Sequence, residues 1–419
     1  MQTFILTMLI TFPPDGEPYA STELAAPQHI LAHGKPIDVA RSGEASPWLE
    51  DFDGDGLNDL LVGEARGGRL RIYRNNGTNT EPKFGDYEWF KAGGEVVCIP
   101  DSPGDHMGFK PVMVDLDQDG LIDMVTATTD LWRGRLSELL WFRRLKDGTF
   151  AKAVKLCGSD GEPIQGKNDI PPSCADWDGD GLIDIIIGSL GGGVKLLKNV
   201  GSVSAPQFAE AVFLTSAGQP INPLWAQPCV TDWDLDGLPD LLVAATDGSV
   251  VCYRNQGSRT NPQLNGFVTL VPKSPVQRED DKVSPPGQPG WHASVSVADY
   301  NSDGLPDLLL GDCSGWFQGM PPLNPHEVTR AARSQAQFEE ARAEWSKVFR
   351  QYSLLASTTP ESEERSTAET NSTTSVSLRE NINQLSAQIT AAQEGIAYDG
   401  PQYQMHGFVW VFLRKTVAE

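Results

Sequence analysis

Apolar runs such as LLVG at residues 60–63, IIIG at 185–188 and LLLG at 308–311 recur along the chain, each following an acid-rich loop and each ending at a glycine. Such runs are too short for a helix and have the length and branching of buried strands. Around them the pattern predicts a repeating order of strand, acidic loop, strand, turn, strand and a looser fourth segment. In the first repeat these are SPWLEDF, NDLLVGE, GRLRIYRNNG and, after EPKF, FKAGGEVVCI. Four strands per repeat, repeated in tandem, predict an all-β propeller.

The acidic loops begin at Asp51, Asp115, Asp176, Asp232 and Asp299 and share the form D-x-D-x-D-G-x-x-D, with Asn301 replacing the second acid of the last. A solvated Asx-type turn would explain one such loop; five in register call for an ion. The expected ligands are Asp51, Asp53, Asp55, Leu57 and Asp59; Asp115, Asp117, Asp119, Leu121 and Asp123; Asp176, Asp178, Asp180, Leu182 and Asp184; Asp232, Asp234, Asp236, Leu238 and Asp240; and Asp299, Asn301, Asp303, Leu305 and Asp307. The leucines would offer their carbonyls. Alternating acids project oxygens toward one centre, and the glycine at the sixth position permits the turn around it. An all-oxygen set suits calcium, in up to five copies, over zinc. The loops are not EF-hands, because position twelve is Val62 or Thr126 rather than Glu, and a strand follows.

At these loops the chain resembles the FG-GAP or VCBS repeat family, whose blades carry this calcium loop between their first two strands, as in the integrin α-subunit propeller. Five blades are expected here, against seven in integrin-type relatives. HGFVWVFLRK near the C-terminus matches a third strand. AAPQHILAHGKPIDV near the N-terminus matches the fourth-strand segment APQFAEAVFLTSAGQPIN. The two chain ends are therefore expected to share the last blade, which would hide its sheet edges.

Residues 1–311 and 407–419 are assigned to the propeller and 312–406 to an insertion in the last blade. Asn324-Pro325 starts a helix with an apolar stripe at Phe338, Ala341, Trp345, Val348 and Tyr352. Ser377 and Glu380 cap a second, with a heptad-like, coiled-coil seam through Leu378, Ile382, Leu385, Ile389, Ala392 and Ile396. The Ser-, Thr- and Glu-rich residues 357–375 between them are expected to be disordered. A helical hairpin results, either packing only on itself or, through Trp345 and Phe349, docking a partner.

The net charge of −23 argues against nucleic-acid binding, which needs a basic face. No apolar run reaches the ~20 residues of a transmembrane helix. FILTMLITF has the character of a short signal core, but no basic residue precedes Lys35, so a signal remnant and an initial strand both stay open. An extracytoplasmic location is expected, because calcium there fills weak sites. The six cysteines (98, 157, 174, 229, 252 and 313) have no C-x-x-C spacing and read as buried thiols, with a Cys174–Cys229 bridge left open. GDCSG at 311–315 imitates a nucleophile elbow, yet the same place reads GEARG and GSLGG in other repeats, an ordinary strand exit.

Pro47, Pro111, Pro172 and Pro228 each stand four residues before a loop, so the residues just ahead of them should converge on the channel mouth opposite the calcium loops. His106, Lys110, Asn168, Asp169, Trp225, Gln227, Trp291 and His292 are the candidate ligand-binding residues. Aromatic faces beside hydrogen-bonding groups suit a glycan or a peptide loop. The expected function is a binding or adhesion module for a protein or glycan. A carbohydrate lyase or hydrolase and a purely structural scaffold are the alternatives. A catalytic site would need a convergent acid, base and electrophile on one face, of which the sequence shows only fragments.

Overall fold

The computed structural model describes residues 22–39, 43–65, 68–99, 108–128, 137–166, 169–189, 192–274, 287–317 and 403–415, together with scattered helical positions at 336–351 and 377–388. The pairing of the expected helical hairpin and the link at 357–375 lie outside the described residues. The chain forms a five-bladed β-propeller. Its inner strands are Ala45–Glu50, Val112–Val114, Asp169–Ala175, Gln227–Thr231 and Trp291–Ala298. Each turns through an acidic loop into an antiparallel second strand: Asp59–Glu64, Asp123–Thr128, Asp184–Ser189, Asp240–Ala244 or Asp307–Phe317. Third and fourth strands follow outward in each sheet.

The last blade closes as the repeat pattern predicts. Gln28–His29 pairs antiparallel with Val409–Phe412, which pairs with Asp307–Phe317 and so with the inner strand. His29 stacks on Trp410 with ring centroids 3.7 Å apart, and Lys415 N–H donates to the Glu23 carbonyl at 2.8 Å. The second strand of this blade runs on to Phe317, where it pairs with Tyr403–His406, so the chain leaves and re-enters the propeller as a two-stranded stalk.

Five apolar clusters, one between each pair of neighbouring blades, hold the ring. The cluster joining the last blade to the first unites Leu309, Val409 and Val411 with Ile30, Ala45, Leu60 and Val62. The glycines ending the second strands are explained by this packing. A Cβ on Gly63 would lie 1.6 Å from the Phe109 carbonyl oxygen, on Gly188 1.7 Å from that of Ala226, and on Gly311 2.0 Å from that of Ala45. Each contact is with the next blade, at the start of its inner strand for Ala45 and just ahead of it for Phe109 and Ala226, so the backbones touch where a side chain would stand.

Within each blade one buried carboxylate ties three strands together. Asp59, Asp123, Asp184, Asp240 and Asp307 open the second strands and are at most 1% exposed. Each accepts the backbone N–H of a residue at the end of the third strand: Asn75 at 2.8 Å, Arg144 at 2.7 Å, Asn199 at 2.8 Å, Asn255 at 2.7 Å and Arg414 at 2.7 Å. In the last three blades the other carboxylate oxygen accepts a backbone N–H from the loop itself, from Trp177, Trp233 or Tyr300.

Asp312 plays a matching part at the closure. It is fully buried and accepts hydrogen bonds from Gly290 N (2.6 Å), Phe408 N (2.8 Å), Ser314 Oγ (2.9 Å) and Trp410 Nε1 (3.1 Å). Burial nevertheless outweighs these donors and raises its pKa to about 6. Because the folded pKa lies above the unfolded one, the stabilisation from protonating Asp312 is complete below about pH 4 and is lost as pH rises through about 6.

Two outcomes are expected. Asp184→Ala strands two buried backbone donors and should cost about 2–6 kcal/mol in urea unfolding in excess chelator, where the loss of a metal-cluster carboxylate does not add to it. Asp312→Asn should also destabilise, and the stability gap to wild type should widen as pH falls from 7 to 4.5; a gap independent of pH would contradict the assignment.

Candidate metal centre

The five loops share one hydrogen-bonding scheme. The first aspartate accepts backbone N–H groups from within its own loop. Asp51 receives Gly54 at 2.8 Å and Gly56 at 3.0 Å, and Asp232 receives Asp236 at 3.0 Å and Gly237 at 2.9 Å. The fifth-position acid accepts the N–H two residues on, as Asp55 does from Leu57 at 2.8 Å and Asp303 from Leu305 at 2.9 Å. The sixth-position glycines Gly56, Gly120, Gly181, Gly237 and Gly304 all have φ between 86° and 88°, a left-handed conformation that disfavours other residues. The fourth position is left-handed as well, although Gln118, Leu235 and Ser302 occupy it in three loops.

This wrapping gathers acids. One oxygen each from Asp51, Asp53 and Asp55, from Asp115, Asp117 and Asp123, from Asp176, Asp178 and Asp184, and from Asp232, Asp234 and Asp240 lie within 4.8 Å of one another. Among the described residues the loop at Asp299 forms no such cluster. The donor set is carboxylate oxygen throughout, which suits a hard cation. Asp117 Oδ1, Asp176 Oδ1 and Asp178 Oδ1 are buried and accept no hydrogen bond, so they are directed at something other than protein donors. The clusters could therefore hold metal ions. Burial raises the pKa of Asp123, Asp184, Asp240 and Asp307 to about 6, with neighbouring loop acids adding to the rise.

At the other ends of the inner strands the channel-mouth candidates separate. His106 and Asn168 lie outside the described residues, and Asp169 is described only as strand backbone. Trp225 and His292 come together, ring centroids 4.2 Å apart, across the fourth and fifth blades. Both are left-handed, with φ of 54° and 51°. His292 Nδ1 lies 2.6 Å from Glu44 Oε1 of the first blade. Glu44 carries no motif that would have singled it out. Trp291 pairs in register with Cys313. Gln227 is buried, with its Oε1 unpartnered among the described residues. Lys110 is buried rather than open at the mouth. It reaches from the second blade to the Pro228 carbonyl of the fourth at 3.4 Å, and burial lowers its pKa to about 8.

Cys174 and Cys229 are separate thiols, and burial raises their pKa to about 12 and 11. Cys313 sits inside a strand paired on both sides, so the GDCSG stretch is a strand exit. No helix among the described residues is long and apolar enough to cross a membrane.

No curated protein matches the chain. Among solved structures, the Tc holotoxin pore of Photorhabdus luminescens is similar over 69% of this chain at 17% identity and a TM-score of 0.34; the match spans 14% of the toxin chain. A GH43 β-xylosidase/α-arabinofuranosidase from a compost microbial metagenome, a calcium-free form with xylotriose, covers 68% of this chain and 90% of its own at 14% identity and a TM-score of 0.40. The periplasmic gluconolactonase of Pseudomonas aeruginosa covers 61% and 78% at 14% identity and a TM-score of 0.29. The model of the FG-GAP-like repeat matches residues 51–126, 115–187 and 232–310, which together make up more than half of the sequence and contain all five acidic loops whole. With these loops seated between the first two strands of each blade, the chain belongs to the FG-GAP-like repeat family.

Proposed function

We propose that this protein is a calcium-stabilised, extracytoplasmic β-propeller that binds a protein or glycan at the channel mouth opposite its acidic loops. Calcium is the ion that best suits clustered carboxylates in flexible loops, and the millimolar calcium outside cells would fill even weak sites. The orphaned oxygens of Asp117, Asp176 and Asp178 support a cation there. Each loop joins an inner to a second strand, so an ion bound only by the folded form would stabilise the blade by mass action.

The ligand reading is carried by the Glu44–His292–Trp225 contact. Two non-glycine residues held in left-handed backbone cost on the order of 1–3 kcal/mol each, and such strain clusters where a surface is organised for recognition. The contact brings a half-buried indole, an imidazole and a carboxylate from three blades to one place. An apolar face beside a polar pair suits a sugar ring or a peptide side chain.

Differential scanning calorimetry with 2 mM calcium (roughly the concentration outside cells) and with excess chelator should show a clearly higher midpoint in calcium; equal midpoints would refute the calcium reading. On a glycan and peptide array in calcium, Trp225→Ala and His292→Ala should lose binding of any ligand the wild type captures while keeping the calcium-dependent midpoint shift. Retention of binding by both variants would move the site elsewhere.

A further inference from the structure

The third strands place a cation against four of the acidic loops. Arg74, Arg143, Lys198 and Arg254 each immediately precede the residue whose backbone N–H caps the buried aspartate of the blade. Each side chain lies within ion-pair distance of the third-position acid of its own loop, although Arg254 makes its closer pair with Glu23 at 2.9 Å. Arg74 lies 3.1 Å from Asp53 and 2.8 Å from Asp59, and Arg254 lies 3.5 Å from Asp234. Arg143 pairs with Asp117 and lies 3.7 Å from Asp119. Lys198 pairs with Asp178 and lies 3.2 Å from Asp180.

The fifth blade departs from this at both ends of the pair. The residue before Arg414, whose N–H caps Asp307, is Leu413, and the third loop position is Asn301. Among the described residues no basic side chain pairs with Asp299, Asp303 or Asp307. The cation is therefore absent only where the third-position charge is also absent. That pairing ties the basic residue to the third-position carboxylate rather than to the strand it stands on.

Those same carboxylates are the ones an ion would use. Asp53, Asp117, Asp178 and Asp234 belong to the four acid clusters, and a guanidinium or ammonium neutralises part of each. We propose that Arg74, Arg143, Lys198 and Arg254 are built-in counter-cations that compete with calcium for the third-position aspartate. They hold the loop together when the ion leaves and weaken its binding, so the first four sites exchange readily and the fifth escapes this control. The inference rests on the calcium reading above. The pairs are partly exposed, and such pairs are worth up to about 1 kcal/mol, roughly fivefold in a dissociation constant.

Lys198 is the cleanest probe, because its ion pairs are confined to Asp178 and Asp180. Terbium luminescence excited through tryptophan should report the third and fourth loops, whose second positions are Trp177 and Trp233; calcium is then titrated against terbium held well below its own dissociation constant, so that the half-displacing concentration reads calcium affinity alone. Lys198→Leu should lower the half-displacing calcium concentration of one component by about 2- to 5-fold, and Lys198→Arg should leave it near wild type. The double change Asn301→Asp with Leu413→Arg should bring the fifth blade under the same control and raise the calcium dependence of its stability less than Asn301→Asp alone does. Lys198→Leu binding calcium no more tightly than wild type, with its fold intact by circular dichroism, would overturn the competition. Wild-type protein showing no calcium-displaceable signal would instead overturn the calcium reading, and this inference with it.

Discussion

The propeller depends on a buried carboxylate at the start of every second strand. A blade must turn its chain sharply between inner and second strands, and the third strand must end beside that turn with its backbone donors satisfied. Asp59, Asp123, Asp184, Asp240 and Asp307 meet both needs, each accepting an N–H from the third strand at 2.7–2.8 Å. A buried backbone donor left without an acceptor costs about 1–3 kcal/mol. The strand order of each blade is thereby locked at the same corner where the acidic loop is formed. The structural demand and that of a cation site would fall on one residue type, since both need a carboxylate held in a fixed direction.

The ring adds a second constraint. Neighbouring blades approach until Gly63, Gly188 and Gly311 meet carbonyls of the next blade at or just ahead of its inner strand, and Ala127 and Ala244 hold the matching positions in the other two blades. A separate apolar cluster fills each of the five seams, so the last blade packs against the first as the other blades pack against their neighbours. Its closure joins the N-terminal segment to the C-terminal strand, and Asp312 fastens that strand to the entrance of the inner one. The outcome is a disc whose two faces differ in chemistry. One carries the acidic loops, and the other gathers Trp225, His292 and Glu44.

Electrostatics follows from this division. A chain of net charge −23 concentrates much of its acid in the loops and supplies a local cation to four of them. Deeper in the channel Lys110 remains buried against a carbonyl instead of a carboxylate, and its pKa falls for that reason. The contrast shows how burial and pairing decide the state of a lysine. Lys198, paired with two acids, is held charged, whereas burial draws Lys110 toward neutrality.

Strand order, loop geometry and closure were legible in the residues, because each rests on contacts local to a repeat: a period-two apolar run, an aspartate at every second position, a glycine at the sixth. The match between the N-terminal segment and a fourth strand was legible for the same reason, as one repeat resembles another. The left-handed fourth positions at Gln118, Leu235 and Ser302 carried no signal, since those residue types do not demand such a backbone. The burial of Lys110, the junction of Glu44 with His292 and Trp225, and the acceptor role of Asp312 were also beyond reach. The first two join residues from different blades, and the last joins Asp312 to Phe408, 96 residues away along the chain. The sequence alone therefore determined the blade and its acidic loop, which neighbours along the chain can specify. Tertiary structure decided the channel and its mouth, because only closing the ring brings side chains from separate blades within contact distance.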